Sequence, residues 1–279
     1  MAPADPSPAG TAPGSGEAYR FERFRLPLLL DDLRFGPTAP APGDRLPEFD
    51  LATLDGGRFA SRALGARPVL MIFGSRTCPV TESAGPALRR LHAEFGENIR
   101  FILVNTREAH PGNRYPQPST FDVKWAHAEE LRRHHGFPFE VAVDDIDGTV
   151  HRILSPKPNS AYLIGADSTI RYRAHWANDE NGLRAALTAV AAGGPPPTPY
   201  SHRMVGPLLR AVGHLPGIVR FAGGNVEREV WFAAPPLAVL GRLSRLFGSL
   251  QPDRRGPAAL LMLAGAALLT ATVAIALAG

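Results

Sequence analysis

Val69-Leu70-Met71-Ile72-Phe73 is an uninterrupted apolar run bounded by Pro68 and Gly74, the pattern of a short strand buried on both faces. After Ser75-Arg76-Thr77-Cys78-Pro79 the period changes: Ala84, Ala87, Leu88, Leu91 and Phe95 recur at helical spacing. Thr77 is the expected N-cap, with Cys78 and Pro79 in the first turn, where a proline's missing N–H costs nothing. Residues 100–105 read as a second apolar strand, so strand, helix and strand make a right-handed βαβ unit with parallel strands. Upstream, Phe49, Leu51 and Leu54 before Asp55-Gly56-Gly57 predict a hairpin. Downstream, Ser119-Thr120 caps a helix with Phe121, Trp125, Ala128 and Leu131 on one face, ending near His134-His135-Gly136. Residues 139–143 follow as a strand, and 162–164 with 169–173 as a hairpin across Ala166-Asp167-Ser168. Asn178-Asp179 opens a last helix running to about Ala191.

The flanks are patterned differently. Residues 1–16 are rich in Pro, Ala, Gly and Ser and are expected to be a disordered tail, without the basic start and apolar core of a signal peptide. Residues 19–35 mix Arg20, Arg23, Arg25 and Arg34 with Phe21, Phe24 and 28–30, and are expected to pack on their own domain rather than on a membrane. The Gly/Pro run at 193–199 ends a domain of 17–192. From there to 255, basic amphipathic helices carry Leu208, Leu209, Val212 and Ile218, then Leu237, Leu240, Leu243 and Phe247 opposite Arg242 and Arg245; they either lie among lipid headgroups or pack on the domain. Residues 256–279 hold no charged side chain. About 24 residues at ~1.5 Å each reach ~36 Å, enough for a ~30 Å hydrocarbon layer. Arg254 and Arg255 precede this segment and nothing basic follows it, so a single-pass C-terminal anchor with the 17–192 domain on the cytoplasmic side is expected.

With 279 residues, 44% hydrophobic and 20% charged, one sizeable core is expected. The net charge of +4 comes without a basic run interleaved with aromatics, so nucleic acid is not an expected partner. One cysteine excludes an intramolecular disulfide, and an oxidised Cys78 would need another molecule's thiol to restore it. That is compatible with a reducing compartment.

The chemistry follows from the predicted geometry. A strand that delivers Cys78 to a helix N-terminus sets its sulfur beside unpaired N–H groups and the positive end of the helix dipole, which favour thiolate. Arg76 would add a cation, Thr81 a hydroxyl one turn on, and Ser75 a hydrogen bond to the sulfur or a leaving group. Ligands of parallel sheets gather beyond the strands' carboxyl ends, where both Cys78 and the 106–110 loop emerge. His110 is the second candidate, as proton donor or acceptor, with Glu108 placed to orient its ring. Either Pro158 or Asn159 is expected to face the thiol. His134-His135 and Asp144, Asp145 and Asp147 lack a ligand loop, and no metal is expected.

Cys78-Pro79-Val80-Thr81 resembles the thioredoxin C-x-x-C motif with Thr in place of the second cysteine, and Pro86 stands where thioredoxins carry a kinking proline. Pro47-Glu48-Phe49-Asp50-Leu51 with Asp55-Gly56 resembles the leading hairpin of peroxiredoxin-like redoxins. The resemblance implies a redoxin-type thioredoxin-like α/β sandwich, with Pro158-Asn159 near the position of the thioredoxin cis-proline. Phe73-Gly74-Ser75-Arg76-Thr77-Cys78-Pro79, followed by Glu108-Ala109-His110-Pro111, resembles the iodothyronine deiodinases more closely, over 68–190. In that family selenocysteine occupies the position of Cys78, and a histidine matching His110 is required. The chain departs from it at Arg76, where many members have a further cysteine, at Pro118, aligned with a second important histidine, and in anchoring at its carboxyl end.

Together these imply a membrane-anchored thiol-dependent oxidoreductase. Cys78 would attack a disulfide or an organohalide, and an external thiol (thioredoxin, glutathione or a similar small thiol) would regenerate it, with no bound cofactor. The expected partners are membrane lipid, that thiol, and a small-molecule or disulfide substrate. The alternatives are a non-catalytic membrane-tethered module, or a one-cysteine peroxidase. The last is disfavoured because Met71 and Ser75 replace the proline and threonine of the peroxiredoxin P-x-x-x-T-x-x-C pattern.

Overall fold

A computed structural model describes residues 19–201 and 203–278; the expected disordered tail at 1–16 lies outside them. β1 (Asp50–Thr53) and β2 (Arg58–Ala60) are the predicted hairpin. β3 (Val69–Gly74), α2 (Pro79–Phe95) and β4 (Arg100–Asn105) are the βαβ unit, following a short α1 (Leu26–Asp32). Then come α3 (Phe121–His135), β5 (Glu140–Val143), α4 (Thr149–Ile153), β6 (Ala161–Ile164), β7 (Ile170–Ala174) and α5 (Glu180–Ala191). The sheet continues through β8 (Tyr200–Ser201) in the order β2-β1-β5-β4-β3-β6-β7-β8. β3 is parallel to β4, β4 to β5, and β6 antiparallel to β3.

The alternation along β3 explains the layers. Leu70 and Ile72 point to the face covered by α2, α3 and α5, through Leu88, Leu91, Leu131 and Leu183. Val69, Met71 and Phe73 point the other way, under Phe59, Leu64, Val150 and Leu154. Two successive crossovers of one hand put α2 and α3 on the same face, and the short α4 crosses behind. This is a three-layer, thioredoxin-like α/β sandwich.

Helix termini fall where short polar side chains wait. Thr120 accepts the Val123 amide at 3.3 Å, Asp179 caps α5, and Gly136 closes α3 with a left-handed φ of 58°. Asp144 and Asp145 serve α4 in the same way, taking the Val150, His151 and Thr149 amides at 2.9–3.1 Å.

The segment after 193 packs on the domain instead of leaving it. β8 adds to β7, α6 (Val205–Val212) packs against α2 and the start of the last helix, and α7 (Leu215–Ala222), α8 (Gly224–Ala233) and α9 (Pro235–Leu243) form a helical cluster around Leu215, Ile218, Val226 and Val230. Residues 19–35 pack as expected, with Tyr19 and Phe24 buried. α10 (Pro252–Ala278) starts four residues before the predicted anchor, and Pro252–Leu277 is long and apolar enough to cross a membrane. Its first turn belongs to the domain: Asp253 accepts hydrogen bonds from Ser83 Oγ on α2 and His214 Nε2, each at 2.8 Å. From Leu260 to Leu277 the side chains are exposed.

Candidate active site

Cys78 ends the loop that leaves β3 and is itself the N-cap of α2, its sulfur accepting the Thr81 amide at 3.4 Å. The cap therefore falls one residue later than expected. Thr77 cannot fill it because its hydroxyl and amide both donate to Glu108 Oε2, at 2.6 and 2.9 Å, while its oxygen accepts the His110 amide at 3.1 Å. Pro79 occupies the first turn as predicted.

The expected open thiolate is overturned. Cys78 is 1% exposed, and burial pushes its thiol up to about 12. Hydrogen bonds from Thr81 and the Val80 backbone pull it down, and Asp32 pushes it further up. Desolvation outweighs the helix terminus because the sulfur faces a small apolar cavity, not water.

That cavity, about 70 Å³, is walled by Cys78, His110, Pro158 and Trp176 and closed by α1 and the C-terminal helices through Leu33, Leu208, Val212 and Leu237. His110 is half-buried with its ring 4.4 Å from that of Phe24, and burial pulls it down to about 4, so it is neutral at physiological pH. Its Nδ1 and the indole Nε1 of Trp176 are buried without a hydrogen-bond partner. Cys78 and His110 thus share a cavity, as the strand geometry required.

The supporting residues divide. Thr81 serves the sulfur with amide and hydroxyl, as expected, and its oxygen accepts Asn159 Nδ2 at 3.2 Å. Asn159 also donates to Phe73 O at 2.8 Å, which leaves Pro158 as the residue facing the cavity. No peptide bond among the described residues is cis.

Ser75 turns away from the sulfur; its hydroxyl accepts the Ala109 amide at 3.2 Å. Arg76 is no thiolate partner either. Its guanidinium donates to Glu82 at 2.6 Å, meets His134 Nδ1 at 3.3 Å and lies 3.9 Å from the Phe221 ring centre. Glu82, in the first turn of α2, captures it. Donor atoms of Glu82, His134 and His135 gather within 4.8 Å of one another, and Arg76 supplies the positive charge of that group.

Glu108 does not orient His110. Fully buried, it links Thr77 to His127 Nδ1, at 3.1 Å, and Tyr115 stacks on that imidazole with ring centres 4.0 Å apart. Gln117 brackets the Glu108 backbone with two hydrogen bonds at 2.8–2.9 Å. His127 escaped the sequence reading. The one available signal was its place beside Ala128 on the inward side of α3.

The sheet order, with a cysteine at the β3–α2 junction and Pro158 opposite it, defines a thioredoxin-like protein. Within that class, residues 36–135 match the family model described as iodothyronine deiodinase, a stretch that takes in Cys78, Glu108, His110 and His127. A segment of the chain is thus similar to the iodothyronine deiodinases, within a thioredoxin-like fold. It is 37% identical over 70 residues to the type II iodothyronine deiodinase of Neoceratodus forsteri and 39% over 70 residues to that of Homo sapiens, in each case 24% of this chain and 26% of the relative. It therefore spans about a quarter of the length of the curated relatives it matches. Among solved structures, a secreted Mycobacterium tuberculosis disulfide oxidoreductase aligns at 20% identity over 44% of this chain and 80% of that one, with a TM-score of 0.35.

Proposed function

We propose that the chain is a thiol-dependent oxidoreductase whose single nucleophile, Cys78, rests protonated in a closed cavity. The observation that carries the reading is the cavity itself. It joins the sulfur to His110 and Pro158 at the carboxyl end of β3, inside the deiodinase-family segment. When the cover of α1 and α6–α9 opens, the thiol loses its proton and attacks an electrophile, a disulfide sulfur or a carbon-bound halogen. With a disulfide, the new S–S bond forms as the old one breaks, and the departing thiolate takes a proton. An external thiol then attacks the mixed disulfide and releases Cys78. With a halide, the sulfur takes the halogen, the carbon takes a proton, and two equivalents of external thiol reduce the sulfenyl halide to thiol and halide ion. α10 would hold the domain at a membrane, its cytoplasmic side following from Arg254 and Arg255.

The burial of Cys78 favours a second reading, a tethered module that binds partners and uses no thiol. The full chain in detergent micelles separates the two, with glutathione as reductant and a small disulfide as substrate. Turnover that vanishes in Cys78→Ser, with an unchanged melting temperature, supports the enzyme. Complete rescue of a deletion phenotype by Cys78→Ser supports the module.

A further inference from the structure

We infer that the polar pocket between α2, the start of α5 and α6 binds the headgroup of an anionic phosphoglyceride. The inference rests on the reading of α10 as a membrane anchor, not on the chemistry of Cys78. The pocket, about 470 Å³, is separate from the cysteine cavity. α6 stands between them, lining the cavity with Leu208, Ala211 and Val212 and the pocket with Pro207 and Arg210.

Its depth follows from helix packing. A Cβ on Gly213 would meet the Pro252 carbonyl oxygen and one on Gly256 the Leu209 carbonyl oxygen, so α6 runs antiparallel to the start of α10. One turn further in that register, Val205, 72% exposed, falls beside Leu260, where the exposed apolar stretch of α10 begins. The helix climbs about 10 Å from Asp253 to Leu260 at ~1.5 Å per residue. A headgroup layer is about 5–8 Å thick on each side of the hydrocarbon. Both Val205 and Asp253 line the pocket, which therefore opens at the depth of lipid phosphates.

Charge accounting says what it takes. The carboxylates that line it are already engaged: Asp253 accepts Ser83 and His214, Asp179 accepts the Ser201 hydroxyl, and Glu180 pairs with Arg90 at 2.6 Å. Arg203 and Arg210 remain. The Arg203 guanidinium is exposed and has no hydrogen bond or ion pair among the described residues. Arg210 folds back along α6. Its Nη2 donates to the Asn178 carbonyl at 2.7 Å, and its Nη1 lies 3.8 Å from where a Cβ on Gly206 would stand, beside a helix N-terminus that no side chain caps. Two guanidiniums bordering one helix N-terminus make the donor set of a phosphate. Asn178 supplies the other half. Only 2% exposed, it gives Nδ2 to Ser83 Oγ and the Pro207 carbonyl, and its Oδ1 is left without a partner. A headgroup hydroxyl is the donor that this atom lacks. Phosphatidylglycerol brings both phosphate and hydroxyl, whereas the choline headgroup has no N–H or O–H to give.

The test reconstitutes the full chain in vesicles of equal parts phosphatidylcholine and phosphatidylglycerol, re-extracts it in mild detergent and measures the retained lipid by mass spectrometry. Wild type is expected to retain phosphatidylglycerol in preference to phosphatidylcholine, and Arg203→Gln to lower that preference about fivefold at an unchanged melting temperature. Arg254→Gln removes an exposed cation outside the pocket and should change the preference less than about twofold. Equal losses in the two variants would mean that surface charge alone gathers the lipid, and the inference falls. Equal retention of both lipids by wild type also overturns it while leaving the anchor intact. Displacement of the lipid by free glycerol phosphate would make the pocket a site for a soluble ester and overturn the lipid assignment. A chain that stays out of the vesicles overturns the anchor and the inference together.

Discussion

Thr77 Oγ1 donates to Glu108 Oε2 across 2.6 Å, joining the loop after β3 to the loop after β4. The carboxylate is completely buried, and its remaining bonds are to the Thr77 amide and His127. A buried charge is tolerated only where hydrogen bonds replace its water. Glu108→Ala would strand Thr77 and His127 and is expected to cost about 2–4 kcal/mol. Glu108→Gln, which keeps an acceptor for Thr77, should cost less. Urea unfolding of both variants checks the order, and an Ala variant as stable as wild type would remove the role given to this link.

Arg76 makes a sharper claim because the sequence suggested the opposite of what the structure contains. If its guanidinium serves Glu82, His134 and Phe221, Arg76→Met should lower stability by about 1–3 kcal/mol, leaving Glu82 without its cation, and change the iodoacetamide rate of Cys78 less than about threefold. A tenfold fall in that rate with stability unchanged would return Arg76 to the thiol.

The cover over Cys78 depends on a lysine. Lys157 is 1% exposed and spends its ammonium on the carbonyls at the end of α1. Lys157→Met keeps the stem but frees those carbonyls, so α1 should detach more often and Cys78 should label with iodoacetamide about tenfold faster at pH 7. Hydrogen exchange at 26–34 should rise in parallel. Faster labelling without faster exchange would point to a different gate.

Much of this fold was legible. The β3 and β4 boundaries, the Thr120 and Asp179 caps and the Gly136 terminus follow from local chemistry, since each depends on residues within a turn of one another. The state of Cys78 was not. Helix position argues for an ionised sulfur, but its burial is decided by Leu208, Val212 and Leu237, more than a hundred residues on, whose amphipathic pattern suits a headgroup layer as well as a protein surface. The misplaced cap has a similar origin: Thr77 is the better cap by type, and a carboxylate 31 residues away claims it. His127 was hidden because a helical histidine says nothing of what faces it until the Glu108 loop is placed.

Buried imidazoles set an acid limit on stability, and burial drives that of His151 well below its ordinary value. Burial holds His110 and His135 each at about 4, against an ordinary value of 6.5. Between those values the unfolded chain binds protons that the folded one does not, so these residues withdraw stability as pH falls from about 6.5 to 4, at ~1.4 kcal/mol per unit of separation for each fully shifted group. Asp32 at about 7 and Asp144 at about 6 act in reverse, the folded state holding their protons longer. The global curve therefore partly cancels, and the signature must be read per site. His135→Asn should flatten the acid limb relative to wild type, and the wild-type His135 ring should titrate near pH 4 by NMR. A midpoint near 6.5 would show that its environment is wet.

The start of α10 offers the last prediction. Asp253 receives Ser83, from the helix that carries Cys78, and His214, from the turn before α7, so the apolar helix is fastened to the cysteine helix and to the cover at one carboxylate. The polypeptide also approaches too closely there for side chains: a Cβ on Gly213 or Gly256 would lie 1.9 Å from the carbonyl oxygen of Pro252 or Leu209. Asp253→Ala removes both bonds while leaving the close approach, and should cost about 1–2 kcal/mol. Gly256→Val drives the helices apart and should cost more. If α10 restrains the cover through this joint, both variants should raise the Cys78 labelling rate, Gly256→Val the more. If only melting temperatures move while labelling stays at the wild-type rate, the joint holds the domain together without governing access to the sulfur.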